Sequence, residues 1–149
     1  MALRKMTTMA IITVAIVGLL LTLTTIGVLG TPRGTGRVSA INVGAYLDSG
    51  CTINCTSINW GNINPGSATT KTIYIKNSGD TRVTLSISTN NWNPKWARSL
   101  VTLSWNLSSY LLSAGEAVPA TLTLAAASNT DSLTNFNFAI IITGTQQKN

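Results

Sequence analysis

The residues able to do chemistry are few. The chain has no histidine, two cysteines and four carboxylates among 149 residues. Asp48, Asp80, Glu116 and Asp131 each stand in or beside a turn and are far apart in sequence. General acid–base catalysis needs positioned titratable groups, and a serine or thiol nucleophile needs a base beside it; the sequence offers neither pattern. No glycine-rich strand-to-helix phosphate loop is present, and Gly79-Asp80 and Gly115-Glu116 read as turn residues. A calcium site would require Asp48, Asp80 and Asp131 to converge. The expectation is a protein that is not an enzyme, with no cofactor, no metal and no evident small-molecule substrate.

Cys51 and Cys55 lie in Gly50-Cys-Thr-Ile-Asn-Cys55, a C-x3-C spacing. A lone pair with no histidine cannot complete a four-ligand zinc site, and redox motifs use C-x-x-C. A local disulfide between Cys51 and Cys55 is expected, holding a turn between two strands and adding little stability because the closed loop is short. Asn54-Cys-Thr56 and Asn106-Leu-Ser108 are N-glycosylation sequons, which makes Asn54 and Asn106 candidate acceptors. Trp92 and Trp96 read as loop residues that either fold over one end of the domain or meet a sugar or a partner.

These groups sit in a chain whose organisation is plain. Ile41, Val43, Ala45 and Leu47 alternate with other residues. The same period of two recurs at Ile58/Trp60, Ile73/Ile75, Val83/Leu85/Ile87, Val101/Leu103/Trp105, Val118/Ala120/Leu122/Leu124 and Phe136/Phe138/Ile140/Ile142. Turn signals separate them, including Asn64-Pro-Gly66, Asn77-Ser-Gly-Asp80 and Ser113-Ala-Gly-Glu116. Strands with one apolar face are what antiparallel sheets require. About seven of them in residues 38–149 predict an all-β fold, a single immunoglobulin-like antiparallel β-sandwich with Trp60, Trp105, Phe136 and Phe138 in its core.

Ahead of this domain, Met9 to Leu29 is a run of 21 residues without a charge. As a helix rising about 1.5 Å per residue it would cross a hydrocarbon core of about 30 Å. Residues 1–30 are therefore expected to be an N-terminal transmembrane helix or a signal peptide cleaved after Val28-Leu-Gly30. Thr31-Pro-Arg-Gly-Thr-Gly-Arg37 reads as a flexible linker. The net charge of +6 overstates the outer domain, because Arg4, Lys5, Arg33 and Arg37 flank the run. The remaining Lys and Arg are scattered over different elements, so no nucleic-acid stripe is expected. Cysteine usage, sequons and a neutral polar surface point to the cell surface, membrane-anchored or secreted, with the C-terminal domain outside.

Ile58-Asn-Trp-Gly-Asn-Ile-Asn-Pro-Gly66, Thr72-Ile-Tyr-Ile-Lys-Asn-Ser-Gly79 and Val83-Thr-Leu-Ser-Ile87 resemble the cadence of secreted sandwich domains. With Trp92-Asn-Pro94, Leu103-Ser-Trp-Asn106 and Phe136-Asn-Phe138, the chain looks most similar to archaeal surface proteins carrying one N-terminal hydrophobic segment. It is more loosely similar to the camelysin/TasA family of biofilm fibre proteins and the archaeal bundling pilins related to it. That resemblance implies export, then joining of subunits by an N-terminal strand that completes a neighbour's sheet. Lys5-Met6 departs from type IV pilins, where Gly or Ala follows the basic residue, so that processing is not expected.

Two functions follow as expectations. One is a non-enzymatic structural or adhesive protein held at the membrane through Met9–Leu29. The other is an exported subunit that self-associates into filaments by donor-strand exchange through residues 38–47, with Ile41, Val43, Ala45 and Leu47 as the inserted face.

Overall fold

The computed structural model describes residues 4–14, 17–27 and 31–147, the first two segments by their backbone alone. Six of the seven alternating segments become strands, and the one from Ile41 to Leu47 does not. Ile73 and Ile75 put one buried face on β6 (Ala68–Lys76), against Ala120, Leu122 and Leu124 on β10 (Ala117–Ala126). Register pairs Ala120 with Ile73 and Val118 with Ile75. On its other side β10 pairs with β8 (Val101–Trp105), and β4 (Gly44–Tyr46) closes the opposite edge, giving the four-stranded order β4-β6-β10-β8.

The larger sheet is built on β11 (Asn135–Gln146), whose Phe136, Phe138, Ile140 and Ile142 all face the core. β11 pairs antiparallel with β7 (Val83–Asn93), which in turn holds the short β9 (Leu111–Leu112). Its other neighbour is β3 (Arg33–Ile41), flanked in turn by β5 (Ser57–Asn62). The two sheets bury Trp60 and Trp105 between them, together with the four inward residues of β11. A fully buried Leu or Ile contributes about 1.5–3 kcal/mol, and Ile73, Ile75, Leu122, Leu124, Ile140 and Ile142 are all fully buried. The fold is all-β, a two-sheet sandwich.

Three expectations change. First, residues 33–37 are not linker but the opening half of β3. Its glycines are there for packing: a Cβ on Gly34 would lie 2.4 Å from Phe136 Cζ, and one on Gly36 would lie 2.8 Å from Ile140 Cδ1. Second, the sandwich is not wholly antiparallel. β3 and β11 run parallel through nine register pairs, from Arg33 opposite Asn135 to Ile41 opposite Thr143. Third, residues 4–14 and 17–27 are not helix. Arg4–Val14 (β1) and Val17–Gly27 (β2) pair as antiparallel strands, and β1 touches β3 through Thr13 and Val14. Ile11, Ile12, Thr13, Val14, Val17, Thr22, Thr24, Thr25 and Ile26 are β-branched, which disfavours helix and suits strand. Among the described residues no helix is long and apolar enough to cross a membrane. The expected cleavage point at 28–30 lies outside the described residues.

Setting β4, β6, β7, β8, β10 and β11 in chain order as the six strands A to F, the smaller sheet reads A-B-E-D and the larger places C beside F. This is the immunoglobulin arrangement. The place that a seventh strand takes beside F is held by β3, which comes from the N-terminal side.

Candidate functional site

Two of the carboxylates, Asp48 and Glu116, cap turns. Asp48 accepts hydrogen bonds from Thr52 N at 2.9 Å, Thr52 Oγ1 at 2.7 Å and Ile53 N at 2.8 Å. The Ile53 amide, followed by the Thr52 hydroxyl, holds its carboxyl below the usual aspartate range. Glu116 accepts from Ser113 N at 2.7 Å and from the Tyr110 hydroxyl at 2.9 Å. The Ser113 amide, followed by the Tyr110 hydroxyl, lowers its pKa, while the hydroxyl's bond to Glu116 raises that of Tyr110. Asp80 and Asp131 are exposed, and among the described residues no group of three or more His, Cys, Asp or Glu comes together.

The expected Cys51–Cys55 disulfide is not formed: both thiols are free. Cys55 is fully buried and turned toward the Ser57 carbonyl, while Cys51, at φ 54°, is partly exposed and turned toward that of Ser49. The two thiols are turned to different carbonyls, one in the core and one at the partly exposed surface of the loop. Burial pushes the Cys55 thiol up to about 12. The task assigned to a disulfide, closing the 48–53 loop, is done by the Asp48 carboxylate and by Leu47 N donating to Ile53 O at 2.8 Å. The sequon residues Asn54 and Asn106 are both exposed, and Asn106 Oδ1 accepts from Thr121 N at 2.8 Å.

The candidate donor strand is divided. Residues 38–47 belong to β3 and β4, in different sheets, with Asn42 at φ 60° in the bend between them. Val43 and Ala45 face the core, but Ile41 is 43 % and Leu47 51 % exposed. The bend shifts the parity, so the inward face of β3 is Gly34, Gly36, Val38 and Ala40. Small residues there receive the large ones of β11, with Phe136 opposite Gly34 and Phe138 opposite Gly36. Alternation read from Ile41 onward could not reveal this face, because glycines carry no hydrophobic signal.

A second feature lies where β7 meets the 3-10 turn Lys95–Ser99. The register of β7 against β11 shifts between Asn137 and Ala139, and Asn91 sits at φ 53°. Trp92 is stacked on Phe138, with ring centroids 4.2 Å apart and planes 6° from parallel, and Phe136 lies 6.2 Å away. Its indole N–H donates to Thr89 Oγ1 at 3.1 Å. Buried Ala97 anchors the turn, while Trp96 remains 46 % exposed. A groove of about 910 Å³ opens here, and Asn90, Asn91, Trp92, Lys95, Trp96 and Arg98 line it together with residues of β8. Trp92 thus folds over the β11 aromatics, and Trp96 stays in solvent.

No protein-family model matches the chain, and no curated protein matches it in sequence. Among solved structures it is similar to the ASH/PapD-like domain of human CEP192 (PapD-like domain 7), with 10 % identity, a TM-score of 0.32, and coverage of 57 % of this chain and 77 % of that one.

Proposed function

We propose that the chain is a non-enzymatic structural or adhesive domain of the cell surface, directed to the membrane by Met9–Leu29. One observation carries the reading: the strand that follows this apolar run, β3, lies inside the larger sheet between β11 and β5. A segment held at a membrane would therefore be continuous with the core of the sandwich. Bilayer insertion would require the β1–β2 pair to give way to a helix, since a two-stranded ribbon leaves outer N–H and C=O groups unpaired in hydrocarbon.

The placement of β3 favours a second reading, an exported filament subunit joined by strand exchange. β3 fills the seventh-strand place from the N-terminal side and is tied to β4 by a short bend at Asn42. A β3 that left its own sheet would expose the edge of β11, which the β3 of a second copy would fit. The exchanged face would then be Gly34, Gly36, Val38 and Ala40.

The test is intact mass combined with negative-stain microscopy on protein recovered from the surface of the producing cell. A mass retaining Met9–Leu29, with dispersed particles, supports the anchored domain. A mass beginning near Thr31, with filaments, supports strand exchange. Recovery only from the cytosol would overturn both.

A further inference from the structure

We infer that the groove beside Trp92 and Trp96 binds an acidic saccharide, a short run of sugars bearing carboxylates. The inference stands apart from export and strand exchange, since it uses neither β3 nor the apolar run.

Trp96 is a large apolar ring left 46 % exposed on a turn whose neighbour Ala97 is buried. Packing therefore fixes the turn without covering the indole. Trp92 is held by its stack on Phe138 and by the bond to Thr89, so the groove has one ring locked in place and one presented to solvent. The face of an aromatic ring carries partial negative charge. The axial C–H groups of a pyranose carry the opposite sign, and the two surfaces are flat and of similar size.

The polar lining completes the match. Asn90 and Asn91 supply side-chain amides for hydroxyl groups, Asn90 chiefly as a donor because its Oδ1 already accepts from Asn91 N at 2.7 Å. Lys95 and Arg98 bring positive charge, and no carboxylate is among the residues that line the groove. A guanidinium and an ammonium on one rim select a ligand carrying carboxylates, with Arg98 able to take one through two parallel N–H bonds. The groove is also within the size range of small-ligand sites. Single-stranded nucleic acid, the other common guest of aromatic and basic residues, calls for a charged groove tracking many phosphates, and two cations do not make one.

The experiment is calorimetric and tryptophan-fluorescence titration of the full chain in a neutral detergent without a sugar headgroup. The probes are tetragalacturonate, the corresponding neutral tetrasaccharide and an oligothymidylate. Tetragalacturonate is expected to bind more tightly than the neutral sugar, by a margin that shrinks as salt is added. Trp96→Ala should weaken binding roughly tenfold while the protein stays folded, with an unchanged far-UV spectrum. Lys95→Ala combined with Arg98→Ala, both at exposed positions, should erase the preference for the acidic sugar. No binding of tetragalacturonate at millimolar concentration, binding that Trp96→Ala leaves intact, or tighter binding of the oligothymidylate would each overturn the inference.

Discussion

Replacing Gly34 with alanine tests whether residues 33–37 are strand or linker. The new Cβ would stand 2.4, 2.8 and 3.1 Å from Cζ, Cε2 and Cε1 of Phe136. That ring is 1 % exposed, with Phe138 at 6.1 Å and Trp92 at 6.2 Å between centroids, so it has little room to yield. Overpacking of this kind costs about 1–3 kcal/mol. Gly34 has no left-handed backbone, so alanine also narrows the unfolded ensemble and returns about 0.4–1 kcal/mol. The net expectation is a loss of about 1–2 kcal/mol, or roughly 3–12 °C in Tm for a domain of this size. Urea unfolding followed by tryptophan fluorescence reads the change as a lower midpoint with the slope retained. Phe136→Leu should relieve part of the penalty, so a double-mutant cycle should show coupling between the two sites. A Gly34→Ala protein as stable as the parent, or more stable, would refute the packing argument and restore the flexible linker.

Asp48 titrates below the ordinary aspartate value of 3.8. A carboxylate depressed by folding contributes stability that is present above the unfolded value and lost as pH falls through the folded one. The amide shifts of Thr52 and Ile53 should therefore follow one titration with a midpoint below 3.8, and Asp48→Asn should abolish it. Alkylation of the native protein at neutral pH should add one group, at Cys51, and denaturant should admit a second at Cys55, as counted by intact mass; protein that accepts none even in denaturant without reductant would mean a disulfide. Asn77 is buried and donates to Thr81 O at 2.7 Å and Leu112 O at 3.2 Å while accepting from Gly79 N at 3.0 Å. Asn77→Ala removes the side-chain partner of all three backbone groups, the buried Leu112 O among them, and should cost about 1–3 kcal/mol in urea unfolding.

The strands legible in the sequence are those whose inward face is written in large apolar residues. β6, β7, β8, β10 and β11 follow their alternation because each pairs side by side with a partner of the same pattern. Asn77 was visible only as a turn residue, since nothing local shows that its side chain would be enclosed by Leu112, 35 positions away. The groove was half legible. Trp92 and Trp96 could be named from the chain, but their separation into a packed ring and an exposed one depends on where Phe138 lies. The cysteine spacing suggested a bond, whereas the structure buries one thiol in the core and leaves the other partly exposed.

By itself, then, the sequence determined the two-layer β architecture, the aromatic core and the scarcity of titratable groups, because composition and period act locally along the chain. Only the tertiary structure decided that β3 begins at Arg33, that it lies parallel to β11, and that it takes the seventh-strand place. Glycine declares itself through what another strand brings against it. Phe136 lies about a hundred residues from Gly34, and no periodicity within either segment encodes their meeting.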